Sequence, residues 1–158
     1  MKGLKTAAVF ILICVVLSAC GKGENPDKAA VTDALDKIDL SKHEVMVEWD
    51  MLMCEGHKNI ERSILSEEAA VLLNEFIEEL SYSRENDSTF DAEDYLNRNG
   101  ENYFHIYVYM SDNEYIWFRG QGSSKCLVLY FDETGERKAA LFDEEHKSLE
   151  RFYEFCEE

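Results

Sequence analysis

The sequence predicts an α+β domain: a mostly antiparallel sheet of about six strands with helices packed on one face. Three observations carry this expectation. Several short stretches alternate apolar and polar residues with period two, turn-forming residues separate successive stretches, and helical apolar stripes lie between and after them. The predicted order is helix, two strands, helix, four strands, helix. No internal repeat or long low-complexity segment interrupts it.

The first helix of the domain begins at Asn25-Pro26, an N-cap followed by proline at the first helical position. Val31, Ala34, Leu35 and Ile38 then recur at helical spacing, so the helix is expected over 26–38. From His43 the period becomes two. Val45, Val47, Trp49, Met51 and Met53 fall on one side, and Glu44, Met46, Glu48, Asp50, Leu52 and Cys54 on the other. Glu55-Gly56-His57-Lys58 reads as a turn into a second strand, Asn59 to Leu65. Ser66 suits an N-cap, Glu67 and Glu68 favour the positive end of a helix dipole, and Leu72, Leu73, Phe76, Ile77 and Leu80 form a broad stripe. The spacing predicts a helix over 67–80.

Residues 81–101 are polar, with one or two helical turns expected from Asp91 to Asn99-Gly100, where glycine suits a C-terminal cap. Tyr103 to Met110 is the clearest strand. Ser111-Asp112-Asn113-Glu114 turns it into a hairpin partner, Tyr115 to Arg119. Cys126 to Phe131 follows, and Asp132-Glu133-Thr134-Gly135-Glu136 turns it into Arg137 to Phe142. Asp143 is the expected cap of a last helix, whose Leu149, Phe152, Tyr153 and Cys156 share a stripe, with His146 solvated in its first turn.

Ahead of this domain, Lys2 and Lys5 precede an unbroken apolar run from Ala7 to Leu17, too short to cross a bilayer as a helix. A positive start, a short apolar core and small residues before a cut site mark a secretory signal peptide. The run ends in Leu17-Ser18-Ala19-Cys20, which resembles the lipobox of bacterial lipoproteins. The resemblance covers only these first 20 residues. It implies a diacylglycerol thioether on Cys20, removal of residues 1–19 and further acylation of the new amino terminus. It also implies a location on the extracytoplasmic face of a cell membrane. Residues 20–25 would be the lipidated tether and 26–158 a single extracytoplasmic domain.

The full chain carries 33 acidic against 16 basic residues, a formal charge of −17, and loss of residues 1–19 would remove two lysines and no acids. Such a domain repels nucleic acid and anionic headgroups, so apart from the bilayer that holds the acyl chains the expected partner is a protein or the cell wall. Beyond the anchor, Cys54, Cys126 and Cys156 match no zinc spacing. Period-two counting sets Cys54 opposite Val47 and Trp49, and Cys126 opposite Leu127, Leu129 and Phe131. If both apolar sets face the core, these two thiols share the outer face, while Cys156 lies inside. Any intramolecular disulfide is then expected between Cys54 and Cys126, with no bridge as the leading expectation.

No nucleophile elbow, HExxH pair or phosphate loop is present, and no cofactor or metal is expected. The acids from Asp87 to Asp94 lack the ligand pattern of a calcium loop. The hairpin at 103–119 is the distinctive feature. It places Tyr103, His105, Tyr107, Tyr109, Tyr115, Trp117 and Arg119 on the side away from its aliphatic residues. Such rings suit a recognition surface, or else favour strands and lie under another segment. The function expected is a lipid-anchored, non-catalytic binding or accessory domain of the cell envelope. A small envelope hydrolase with unidentified catalytic residues and a structural part of an envelope assembly are the alternatives; His105 and Cys126 could be cast as base and thiol, but nothing in the sequence places them together.

Overall fold

The computed structural model describes residues 25–50, 58–84, 90–98, 103–121 and 125–157. Helix α1 (Pro26–Leu35) leads into strands β1 (Glu44–Trp49) and β2 (Ile60–Ser63), and then into helix α2 (Glu67–Ser83). A short helix α3 (Ala92–Arg98) precedes strands β3 (Phe104–Tyr109), β4 (Tyr115–Gln121), β5 (Lys125–Phe131) and β6 (Arg137–Phe142), and helix α4 (Lys147–Glu157) follows. The strands form one antiparallel six-stranded sheet in the order β2-β1-β3-β4-β5-β6, as the α+β expectation requires.

The local signals work as written. Asn25 Oδ1 accepts the Asp27 N–H at 3.0 Å with Pro26 at the helix start, and Ser66 Oγ accepts the Ala69 N–H at 3.3 Å. At the β5–β6 turn the Asp132 carboxylate accepts the N–H groups of Thr134 and Glu136 at 2.8 and 3.0 Å. Gly135 sits there at φ 81°, a conformation that costs glycine little.

One face of the sheet carries the main core. Val45 and Val47, Phe104, Ile106 and Val108, and Ile116 and Phe118 are completely buried. Helices α1, α2 and α4 cover them with Val31, Leu73, Phe76, Leu80, Leu149 and Phe152. The Phe76 ring meets Phe118 edge-on at 5.7 Å.

Three details differ from the expectation. First, β5 is turned over: Cys126 and Val128 belong to the main core, whereas Leu127 and Leu129 join a second cluster on the opposite face. The register shows why, since Phe118 pairs with Val128 and Gly120 with Cys126. A strand apolar on both sides gives period-two counting no way to tell inside from outside. Cys126 and Cys156 therefore share the main core, both as free thiols, which removes the face argument for a Cys54–Cys126 bridge. Cys54 itself lies outside the described residues.

Second, α3 packs on the other face. Ala92, Tyr95 and Leu96 lie against the cluster of Leu127, Leu129 and Ala139.

Third, α4 begins at Lys147, so Asp143 is not its cap. The Glu79 carboxylate of α2 takes that role by accepting the Ser148 N–H at 3.2 Å, and His146, expected in solvent, is 1% exposed.

Candidate functional site

The outward face of the sheet is built of three cross-strand rows. One runs Glu48, His105, Arg119, Leu127 and Leu141. The next runs Met46, Tyr107, Trp117, Leu129 and Ala139, and the third Glu44, Tyr109, Tyr115, Phe131 and Arg137. Six of the predicted surface residues, His105, Tyr107, Tyr109, Tyr115, Trp117 and Arg119, thus stand together on β3 and β4. Tyr103 precedes β3 and is tied through its backbone to Asp50 and Gly120.

The rings order one another. Tyr107 stacks on Trp117 with centroids 5.2 Å apart, and on Tyr109 at 6.2 Å, both with planes 17° apart. Tyr109 meets Tyr115 at 5.6 Å, and Tyr115 stacks on Phe131 at 4.7 Å. Two guanidinium groups close the array: Arg119 lies 4.6 Å from the centre of the Trp117 ring, and Arg62 of β2 lies 4.1 Å from that of Tyr109. Carboxylates hold Arg62, with Glu44 at 2.7 Å and Asp112 at 3.0 Å. Nothing local to Arg62 marks it as part of this face, because its reach to Tyr109 depends on how β2 registers against β1.

His105 is fixed by the Trp117 indole N–H, which it accepts on Nδ1 at 3.1 Å. The neutral ring therefore carries its proton on Nε2. Burial, and then the charge of Arg119, hold its pKa below the ordinary histidine value. Protonation would also set two N–H donors against each other at the Trp117 contact. Burial pushes the Tyr107 hydroxyl up to about 12, reinforced by neighbouring Glu48.

Part of this face is covered. Helix α3 and Phe90 shield Leu127, Leu129 and Ala139, and Trp117 and Phe131 pack against the same cluster from the sheet. Among the described residues nothing equivalent lies over the rings of β3, and His105, Tyr107, Tyr109, Tyr115 and Trp117 all remain half-buried. The covering segment expected as the alternative is thus present over β5 and β6, and among the described residues no helix lies over β3.

The other candidates do not converge. His105 is on the outward face and Cys126 in the main core, so they form no base–thiol pair. Burial also raises the Cys126 thiol far above its ordinary value, which keeps it protonated. His57 and Asp87 lie outside the described residues. The Asp91 carboxylate caps α3 by accepting the N–H groups of Glu93 and Asp94, and Asp94 pairs with Arg98 at 2.8 Å. No metal-binding grouping of His, Cys, Asp and Glu occurs among the described residues. Comparison of the chain with protein-family models, curated proteins and solved structures finds no match.

Proposed function

We propose that the protein is a lipid-anchored extracytoplasmic binding domain that offers the β3–β4 aromatic face to a protein or cell-wall partner, without catalysing a reaction. The observation that carries this reading is the arrangement of the face. A helix shields the β5–β6 half, while among the described residues no helix lies over the ordered array of amphipathic rings on β3 and β4. Tyrosine and tryptophan give large contact area at low entropic cost, and rings already held by their neighbours lose little more on binding. The lipobox-like segment supplies the setting. Acyl chains on Cys20 would hold the domain at the bilayer, and Gly21 to Asn25 can reach no more than about 18 Å when extended.

A photo-crosslinking residue at Tyr107, compared in intact cells with one at exposed Val71 on α2, tests the face. The expected outcome is a discrete adduct from position 107 alone; identical adducts from both positions would overturn the reading. For the anchor, Cys20→Ser should abolish incorporation of labelled palmitate. Equal labelling of variant and wild type would refute it.

A further inference from the structure

Among the described residues two arginines of this face hold no carboxylate, exposed Arg137 and half-buried Arg119, and of these Arg119 is the one that lies on a ring. Acids outnumber bases 33 to 16, and Arg62, Arg84, Arg98 and Arg151 each hold a carboxylate. Arg119 forms no ion pair among the described residues. Its guanidinium lies on the Trp117 ring, and its Nε is buried without a hydrogen-bond partner. Tyr95 of α3 and Tyr107 of β3 are its other polar neighbours. Glu48 shares its row but stands beyond His105, two strand spacings or roughly 10 Å away along the backbone, and forms no ion pair with Arg119.

His105 adds a second donor. It pairs with Arg119 across the strands, and because Nδ1 is taken by Trp117, its free nitrogen is an N–H. The fork of Arg119 and the Nε2–H of His105 are thus donors on paired residues of one row, with Glu48 and Asp50 the carboxylates that act on His105. Stacking on Trp117 restricts the guanidinium, so less rotamer freedom is lost when the fork engages a planar, two-oxygen acceptor.

We infer that Arg119 anchors a carboxylate of the partner, carried by a peptide segment whose neighbouring apolar residues lie on Tyr107, Tyr109 and Trp117. The inference rests on the reading of this face as a docking surface. The chain's overall charge of −17 repels polyanions such as nucleic acid, so the occupant bears an isolated carboxylate on an otherwise neutral or cationic peptide. That carboxylate is either an acidic side chain or the free chain terminus.

The test uses the full-length protein in detergent and peptides selected from a random library for binding to it. Each selected peptide is compared with its Asn or Gln counterpart and with its C-terminal amide. Charge-assisted hydrogen bonds imply that one of these exchanges weakens binding about tenfold or more. Arg119→Gln should weaken the parent peptide equally and leave parent and amide indistinguishable, while Arg119→Lys retains part of the preference. The amide that weakens binding tells side chain from terminus. Peptides that need Tyr107 but ignore both the amide exchange and Arg119→Gln would overturn the carboxylate inference and leave the docking face standing. If Tyr107→Ala affects none of the selected peptides, the docking reading itself fails. The peptide exchanges are made against wild-type protein, so the result does not depend on Arg119→Gln folding.

Discussion

His146 shows how burial reverses the reading of a residue. Beside Glu144 and Glu145 at a helix start it reads as solvated, yet it meets the Phe76 ring edge-on at 5.7 Å, with Nε2 unpartnered and a hydrogen bond to the Phe142 backbone. Desolvation lowers its pKa, against the opposing pull of Glu79 and Glu144. His105 is shifted the same way. A histidine with a depressed native pKa stays neutral in the fold while the unfolded chain takes up its proton. Stability is therefore fully present above the unfolded value of about 6.5 and falls as pH drops from there towards the native pKa. The melting temperature should decline between pH 7.5 and 5.5, and His146→Gln should flatten that decline. An unchanged slope in the variant would assign the effect to other groups. Cys156 is governed by the same physics: burial pushes its thiol up to about 12 and leaves it a small, inert hydrophobe.

At the scale of elements, the close approach of β4 to its neighbours depends on Gly120. A Cβ there would stand 2.4 Å from the Lys125 carbonyl oxygen and 2.6 Å from the Phe104 ring. The carbonyl belongs to the paired strand β5 and cannot retreat without breaking the ladder. Gly120→Ala should therefore destabilise the protein by about 1–3 kcal/mol or more through overpacking. Gly135 makes the contrast. It has open space around it but φ at +81°, so Gly135→Ala should cost about 1–2 kcal/mol through backbone strain. Asparagine tolerates that conformation and should recover part of the loss at 135, while making matters worse at 120. Chemical denaturation of the four variants checks this, and recovery by asparagine at 120 would show that space is not what Gly120 provides. The capping of α4 by Glu79 of α2 is likewise an arrangement between elements. No local pattern around Asp143 or Ser148 encodes it.

For the whole molecule, the excess of acids sets the balance. The described ion pairs are mostly exposed and individually contribute little, whereas repulsion among like charges acts over the entire surface. Raising ionic strength from about 10 mM to 150 mM shortens the screening length from about 30 Å to 8 Å. The melting temperature should rise over that range. A fall would mean that the ion pairs outweigh the repulsion.

The sequence by itself determined the element order, the antiparallel hairpins, the caps at Asn25 and Ser66 and the outward set on β3 and β4. Each of these depends on neighbours within a few residues or on a strict period of two, and both are local properties. The tertiary structure decided which side of β5 faces the helices, because Cys126-Leu127-Val128-Leu129 is apolar on both sides and only pairing with Phe118 and Gly120 chooses between them. It decided that α3 covers one half of the outward face, while among the described residues no helix lies over the other. It also decided that Arg62 meets a carboxylate and Arg119 does not. Charge pairing across a sheet follows from register and strand order, and contacts between residues far apart in the chain set both.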